Sequence, residues 1–429
     1  MGSPQDTLLV EDRTRPLSTV SVNLSGGQLA DPDGQEGLAF LTSQMLTRGT
    51  KKRTQAELSE ALDTMGSHLG ISVARETTAI IGDALTRNFD EFESLVTEVL
   101  SEPTFPEDEL ARLKRQTIAE LQQVRDNDAA LAKRFFVRSF YDGHVYGRPL
   151  RGTEESLARI SRDDIVRFYE GHYASQGAIS GACGDLTRER FETYIGRTTG
   201  NLAGEPREPV AVESPMDWKS GYRLDLIDKP ERSQTQVFIG HPTLHANHDD
   251  YIALYLAHVI FGGTFTARLS QEIREKRGWS YGAYSYLHGD KHLGTFILRF
   301  YPGLADTIPA LEVTDQLLRD YHAEGPTEEE LENARRYIVN SHPMTIETAE
   351  KQLHEQLACR MLGRDPSWLK SFIPAIKALT LDDLNRAIKA HLTPDDVQTT
   401  VVCSAEGLKE QLAAWGRPDA TRILDFESF

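Results

Sequence analysis

The residues that could do chemistry in this chain are scattered histidines, three cysteines and one basic run that ends in a tyrosine. His241, His245 and His248 sit in a stretch containing Pro and Asn behind a predicted strand. Two imidazoles three residues apart, His245 and His248, are a minimal start on a metal site, but no second-shell carboxylate can be placed for them. Asp249 and Asp250 fit better as the acidic start of the next helix. His288 and His292 flank Gly289-Asp290, which predicts a hairpin turn. His144 precedes a helix, where packing explains it better than catalysis. Cys183, Cys359 and Cys403 are widely spaced and odd in number. They form neither a disulfide framework nor a CxxC metal pair, and small buried hydrophobes are their ordinary role. Gly262-Gly263 alone does not make a phosphate loop, and no Ser-His-Asp arrangement stands out. The basic run is Arg274-Glu275-Lys276-Arg277-Gly278-Trp279-Ser280-Tyr281. Phe265, Leu269 and Ile273 predict a helical stripe before it. Gly278 is a natural helix C-cap, and Tyr281 starts the next predicted strand. Arg274 and Tyr281 can therefore converge across the turn. Taken singly, such an Arg is usually a solvated helix end, and such a Tyr is usually packing.

The elements that must position these residues come in two similar sets. An alternating strand, Thr19 to Leu24, ends at Gly26-Gly27, and a helix follows with Leu38, Leu41, Met45 and Leu46 on one face. The second half repeats that order with a strand from Thr235 to Ile239 and a helix carrying Ile252, Tyr255, Leu256 and Val259. Acidic runs after Pro106 and Thr327 predict matching helix starts, because carboxylates suit the positive end of a helix dipole. Ser161-Arg162-Asp163-Asp164-Ile165 leads to His172-Tyr173, and Thr380-Leu381-Asp382-Asp383-Leu384 leads to His391-Leu392. Apolar strands follow each, Ala178 to Gly181 and Thr399 to Cys403. The offset is about 220 residues throughout, which argues for a duplicated domain. The predicted organisation is a domain over 1–205, a linker over 206–222 and a domain over 223–429. The stretch from Asn201 to Ser220 has the Gly, Pro and Glu content of a linker. Strands and helices mix without a strict βαβ rhythm, so the fold class is α+β.

Bulk properties exclude some functions. The chain has 429 residues, 39% hydrophobic and 26% charged, which suits a globular protein of more than one domain. Its net charge of −18 is the wrong sign for binding nucleic acid or an anionic membrane surface. No apolar run reads as long enough to span a bilayer. Met1-Gly2-Ser3-Pro4 lacks a basic n-region and an apolar h-region. The bacterial cytoplasm is therefore the expected location, or the periplasm if a leader has been removed.

Two segments carry a resemblance. One runs Gly37-Leu38-Ala39-Phe40-Leu41-Thr42-Ser43-Gln44-Met45-Leu46-Thr47-Arg48-Gly49-Thr50. The other runs from Gly262-Gly263-Thr264-Phe265 through Arg274 to Tyr281. With His144-Val145-Tyr146-Gly147-Arg148-Pro149-Leu150-Arg151-Gly152-Thr153, they make nearly the whole chain resemble the pitrilysin family of zinc peptidases. That family includes insulin-degrading enzyme and the mitochondrial processing peptidase. The resemblance implies two homologous domains, each a mixed or antiparallel sheet packed with helices, facing each other like a shell.

Active members of the family carry H-x-x-E-H in the first segment. The two His bind zinc from one helical face and the Glu polarises a water. Here the first His position is Phe40, the Glu position is Ser43 and the second His position is Gln44. Phenylalanine has no lone pair, a serine hydroxyl is no base near neutral pH, and a glutamine carbonyl is a poor zinc ligand. The family's third ligand, a Glu on a later helix, would fall near Glu120 as an orphan carboxylate. No cofactor is therefore expected in this chain, and zinc is expected in a partner. The second segment keeps the family's R-x-x-x-x-x-x-Y spacing in Arg274 and Tyr281. The resemblance gives these two the role of binding the substrate carbonyl and stabilising its oxyanion, where one donor typically contributes about 3 kcal/mol. One motif is gone while the other is intact, whereas random decay would erode both. This implies a heterodimer with a homologous H-x-x-E-H subunit, acting on peptides or unfolded protein. The alternative is an inert scaffold, like the core subunits of the cytochrome bc1 complex, or a subunit that binds and presents a peptide.

Overall fold

A computed structural model describes residues 6–428 except 201, 203, 205–211 and 215. Much of the predicted linker thus lies outside the described residues. The chain divides into two compact units. Unit 1 comprises residues 1–121, 148–211 and 344–361, and unit 2 comprises 122–147, 212–343 and 362–429.

Unit 1 is built on five strands: β1 (Asp6–Glu11), β2 (Leu17–Ser25), β3 (His68–Val73), β4 (Thr77–Leu85) and β5 (Ile179–Gly184). Their order is β1-β5-β2-β4-β3. Only the β1–β5 pair is parallel. Unit 2 contains β6 (Arg223–Asp228), β7 (Gln236–Thr243), β8 (Ala283–Gly289), β9 (Gly294–Phe300), β10 (Gln398–Cys403) and β11 (Ala420–Asp425). Their order is β11-β6-β10-β7-β9-β8. With β11 set aside, the second sheet repeats the first strand for strand, including one parallel pair, β6–β10. The duplication read from the sequence is thus a duplication of topology, and the α+β class holds.

Local chemistry explains the element boundaries. Thr380 and Ser161 close capping boxes with Asp383 and Asp164, so helices Leu381–His391 and Arg162–His172 start where their acidic runs begin. The acidic runs after Pro106 and Thr327 open helices Glu107–Gln123 and Glu328–Thr345. The amide of Asp290 bonds to Leu293 O at 2.9 Å in the turn joining β8 to β9, the hairpin expected at Gly289-Asp290.

Each core is covered by a helix from the opposite half of the sequence. Helix Asp128–Phe140 packs on β10 and β7 in unit 2. Its Phe136 ring meets Phe238 at 5.6 Å. Helix Ala349–Met361 packs on β5 and β1 in unit 1, with Leu353 and Leu357 against Cys183. The two helices occupy equivalent places in the repeat. All three cysteines are buried thiols, and burial pushes those of Cys183 and Cys403 up to about 11 and about 12.

One expectation needs correction. The run Tyr251–Lys276 is long and apolar enough to cross a membrane. It escapes a reading by continuous hydropathy because polar residues interrupt it. More than half of its most apolar stretch is buried in unit 2, and regular helix breaks at Thr264–Ala267. It is the core helix of that unit.

Candidate functional site

Phe40, Ser43 and Gln44 lie on helix Leu38–Met45. That helix is fixed at its start by Asp31, whose carboxylate accepts the amides of Gly37 at 2.8 Å and Ala39 at 2.7 Å. Burial pushes the Asp31 carboxyl up to about 7, against the pull of those two N–H groups. The polar atoms on this helix are turned to structural work. Ser43 is fully buried, and its hydroxyl donates to Phe40 O at 2.7 Å. Gln44 Nε2 donates to Ile71 O, on edge strand β3, at 3.0 Å.

A cleft of about 380 Å³ opens beside them, lined by Phe40, Gln44, Gln116, Glu120 and Arg151 among others. Phe40, Gln44 and Glu120 therefore share one cleft, whereas Ser43 is buried and does not line it. Glu120, a carboxylate without zinc co-ligands, is paired within the protein. Arg151 Nη1 lies 2.8 Å from its Oε2, and Gln116 Nε2 donates to its Oε1 at 3.0 Å. The Arg151 guanidinium also sits 5.3 Å from the centre of the Phe40 ring, a cation–π distance. The cleft thus carries a built-in cation on the one carboxylate that zinc would need. Phe40 offers no lone pair and Ser43 is committed to its own helix, so the residues present do not fit a zinc ion.

In unit 2, Arg274 lies on a widened helical turn, Gln271–Lys276, whose Ile273 is fully buried. Such π-type turns recur at functional positions. Gly278 ends the turn at φ +66°. Its amide bonds to Arg274 O at 3.0 Å, and the Trp279 amide bonds to Ile273 O at 3.1 Å, a C-cap that reverses the chain. Ser280 then anchors the return: its hydroxyl donates to Gly282 O at 2.7 Å and accepts from the Tyr301 amide at 3.0 Å. Gly262 permits the close approach of the preceding helix, because a Cβ there would lie 2.8 Å from Ser285 N.

These constraints bring Arg274 and Tyr281 together. The Arg274 guanidinium carbon is 5.2 Å from the Tyr281 ring centre and 3.8 Å from that of Phe265. Its Nη1 is 3.1 Å from Glu275 Oε1. Tyr281 is 79% exposed. Two expectations change. Phe265 is not part of the buried stripe with Leu269 and Ile273; it is 51% exposed and stacks on Arg274. Its four-residue spacing to Leu269 spans the break in the helix, so helical periodicity does not apply there. Tyr281 also precedes the strand, which begins at Ala283.

The other sequence candidates separate. His144 Nδ1 accepts the Tyr146 amide, so its Nε2 donates to Glu213 O at 3.0 Å, a packing role. His241 is fully buried beside Phe296, and burial lowers its pKa to about 4. Asp250 immediately precedes helix Tyr251–His258, at the helix start expected, but its carboxylate goes to His391 and Arg386 and not to the helix amides. What sequence reading missed is His391, which lies beside His248 and Asp250. Its distance along the chain left no local signal.

The doubled sheet, one copy in each unit, defines a two-domain fold of the zinc-peptidase type. Residues 6–154 match the model for insulinase, peptidase family M16, and residues 159–338 match the model for the peptidase M16 inactive domain. The chain belongs to the M16 peptidase family. It is 23% identical over 395 residues to a Helicobacter pylori protein described as the non-peptidase homolog YmxG, covering 91% of this chain and 90% of that one. It is 26% identical over 337 residues to an uncharacterized zinc protease of Rickettsia bellii, covering 77% and 79%. Among solved structures, the peptidase M16 inactive domain from Pseudomonas fluorescens superposes with a TM-score of 0.84 at 23% identity, covering 98% and 96%. A protease from Helicobacter pylori superposes at 0.81 and 17% identity, covering 94% and 100%.

Proposed function

We propose that this chain is the non-zinc-binding subunit of a heterodimeric metallopeptidase. The partner is a homologous chain bearing H-x-x-E-H, and zinc bound there would supply the activated water. Arg274 orients the substrate carbonyl by charge-assisted hydrogen bonds. The Tyr281 hydroxyl donates to the same oxygen as negative charge develops on it, a contribution of about 3 kcal/mol. The substrate is a peptide or an unfolded protein segment, and the location is the bacterial cytoplasm. The observation that carries this reading is the contrast between the sites. Arg274 and Tyr281 are held together by a capped turn with the phenol 79% exposed, whereas the ligand helix holds no zinc ligand.

A second reading has its own support. The Arg151–Glu120 pair neutralises the vestigial cleft, and the similar Helicobacter protein is described as a non-peptidase. In that reading the chain is an inert scaffold or a peptide-holding subunit. Peptide cleavage by this chain, by the zinc-bearing homologue and by the mixture, with zinc quantified in each, separates the two. Cleavage by the mixture alone, with zinc in the partner, supports the shared site. Full activity of the partner alone, unchanged on mixing, leaves the scaffold.

A further inference from the structure

His248, Asp250 and His391 each present one ligand-type atom within 4.8 Å of the other two. The first two lie at the start of helix Tyr251–His258, and the third ends helix Leu381–His391. His391 Nε2 is 2.9 Å from Asp250 Oδ2, and both side chains are only 18% exposed. The other Asp250 oxygen accepts Arg386 Nη2 at 3.1 Å, and Arg386 Nη1 is held in turn by Asp383 at 3.1 Å. The imidazoles of His248 and His391 stand 4.9 Å apart, edge to face. His248 Nδ1 accepts the Asp250 amide at 3.0 Å, so that nitrogen carries a lone pair and not a proton. The end of the second helix is fixed by Thr243, whose hydroxyl donates to His391 O at 3.1 Å.

We infer that His248, Asp250 and His391 form a binding site for a divalent transition metal of the Zn²⁺ or Co²⁺ class. Two imidazoles and one carboxylate, with a water in the fourth place, are a standard four-coordinate set. The ion takes the place of the proton between His391 Nε2 and Asp250. The neutral ring carries its single proton on Nδ1 instead, so Nε2 is free to bind and the charge of the imidazole does not change. The His248 lone pair turns from the Asp250 amide to the ion. Arg386 stays on the outer Asp250 oxygen and holds the carboxylate in orientation, as hydrogen-bonding partners of metal ligands do. The site ties together segments 141 residues apart. It lies entirely within unit 2, whereas the vestigial ligand helix belongs to unit 1.

The test is Co²⁺ and Zn²⁺ binding to the full untagged chain, by equilibrium dialysis and by the visible spectrum of the Co²⁺ form. The expected result is about one equivalent bound, with the intense visible bands of a four-coordinate ion. His248→Gln keeps the His391–Asp250 pair, so it removes a ligand without breaking the contact between the two helices. It and His391→Gln should each weaken binding on the order of 10–100-fold. Zn²⁺ should also raise the Tm of the native chain but not that of His248→Gln. Absence of saturable uptake by the native chain would overturn the site. Uptake undiminished in both variants would overturn it as well, because the ion would then be bound elsewhere.

Discussion

The vestigial ligand helix in unit 1 and the Arg–Tyr turn in unit 2 sit on sheets of the same strand order, yet they have met opposite fates. In unit 1 the polar atoms have been taken up internally. Ser43 bonds to its own helix, Gln44 to the edge strand, and Glu120 to Arg151. In unit 2 the backbone is tightly capped while the side chains stay stacked and open, with Tyr281 and Phe265 both mostly exposed. A site that has lost its task is free to satisfy its own donors and acceptors. Under the proposed function, the unit 2 site would keep them available for a partner, at the cost of exposed aromatic surface.

The comparison breaks first at Tyr281. Tyr281→Phe should lower turnover of the mixed complex by about 10²–10³-fold while zinc content stays unchanged. Unaltered steady-state cleavage would make the open site as idle as the closed one. The closed site can be reopened in stages. Phe40→His, Ser43→Glu and Gln44→His restore the ligand types, but Arg151 still holds Glu120. Adding Arg151→Leu to that triple variant should tighten zinc binding on the order of 10–100-fold, measured by metal analysis after dialysis. Equal zinc content with and without Arg151 would show that the guanidinium is no barrier.

Acid should separate the units by a smaller amount. His241 in unit 2 has its folded pKa lowered to about 4 by burial. Between its ordinary value of 6.5 and that value the unfolded chain binds the extra proton, so stability is full above pH 6.5 and falls as pH drops. The loss by pH 5 is about 2 kcal/mol. Asp31 in unit 1 has the opposite sign. Its folded pKa is raised to about 7, so the folded chain binds the extra proton and stability grows as pH falls from 7 toward 4. Hydrogen exchange at pH 7 and pH 5 should show protection falling in unit 2 relative to unit 1, and a uniform change would contradict it. The smallest effect is the cap itself. Asp31→Ala should cost about 1 kcal/mol by thermal unfolding, with the loss centred on helix Leu38–Met45.

The sequence carried local information well. The acidic helix starts after Pro106 and Thr327, the glycine at the end of the Arg274 turn and the individual strands were all legible, because each depends on residues a few positions apart. The resemblance, not residue types by themselves, marked Phe40, Ser43 and Gln44 as the positions to compare with zinc ligands. Long-range placement was not. Arg151 reaches Glu120 from 31 residues away, and His391 reaches Asp250 from 141. Phe265 was misplaced for a subtler reason: a period of 3.6 carries meaning only within one unbroken helix, and the chain breaks between it and Leu269.

The reciprocal loan of helices Asp128–Phe140 and Ala349–Met361 imposes a timetable on synthesis. The last strand of the first sheet is complete at Gly184, but the helix that covers β5 and β1 begins at Ala349. At about 5–20 residues per second, the nascent chain must hold that apolar face open for roughly 10–30 s. Neither half of the gene, expressed alone, encodes the cover for its own sheet. Each half supplies the equivalent helix to the other's sheet, so one polypeptide carries the pattern of a swapped dimer.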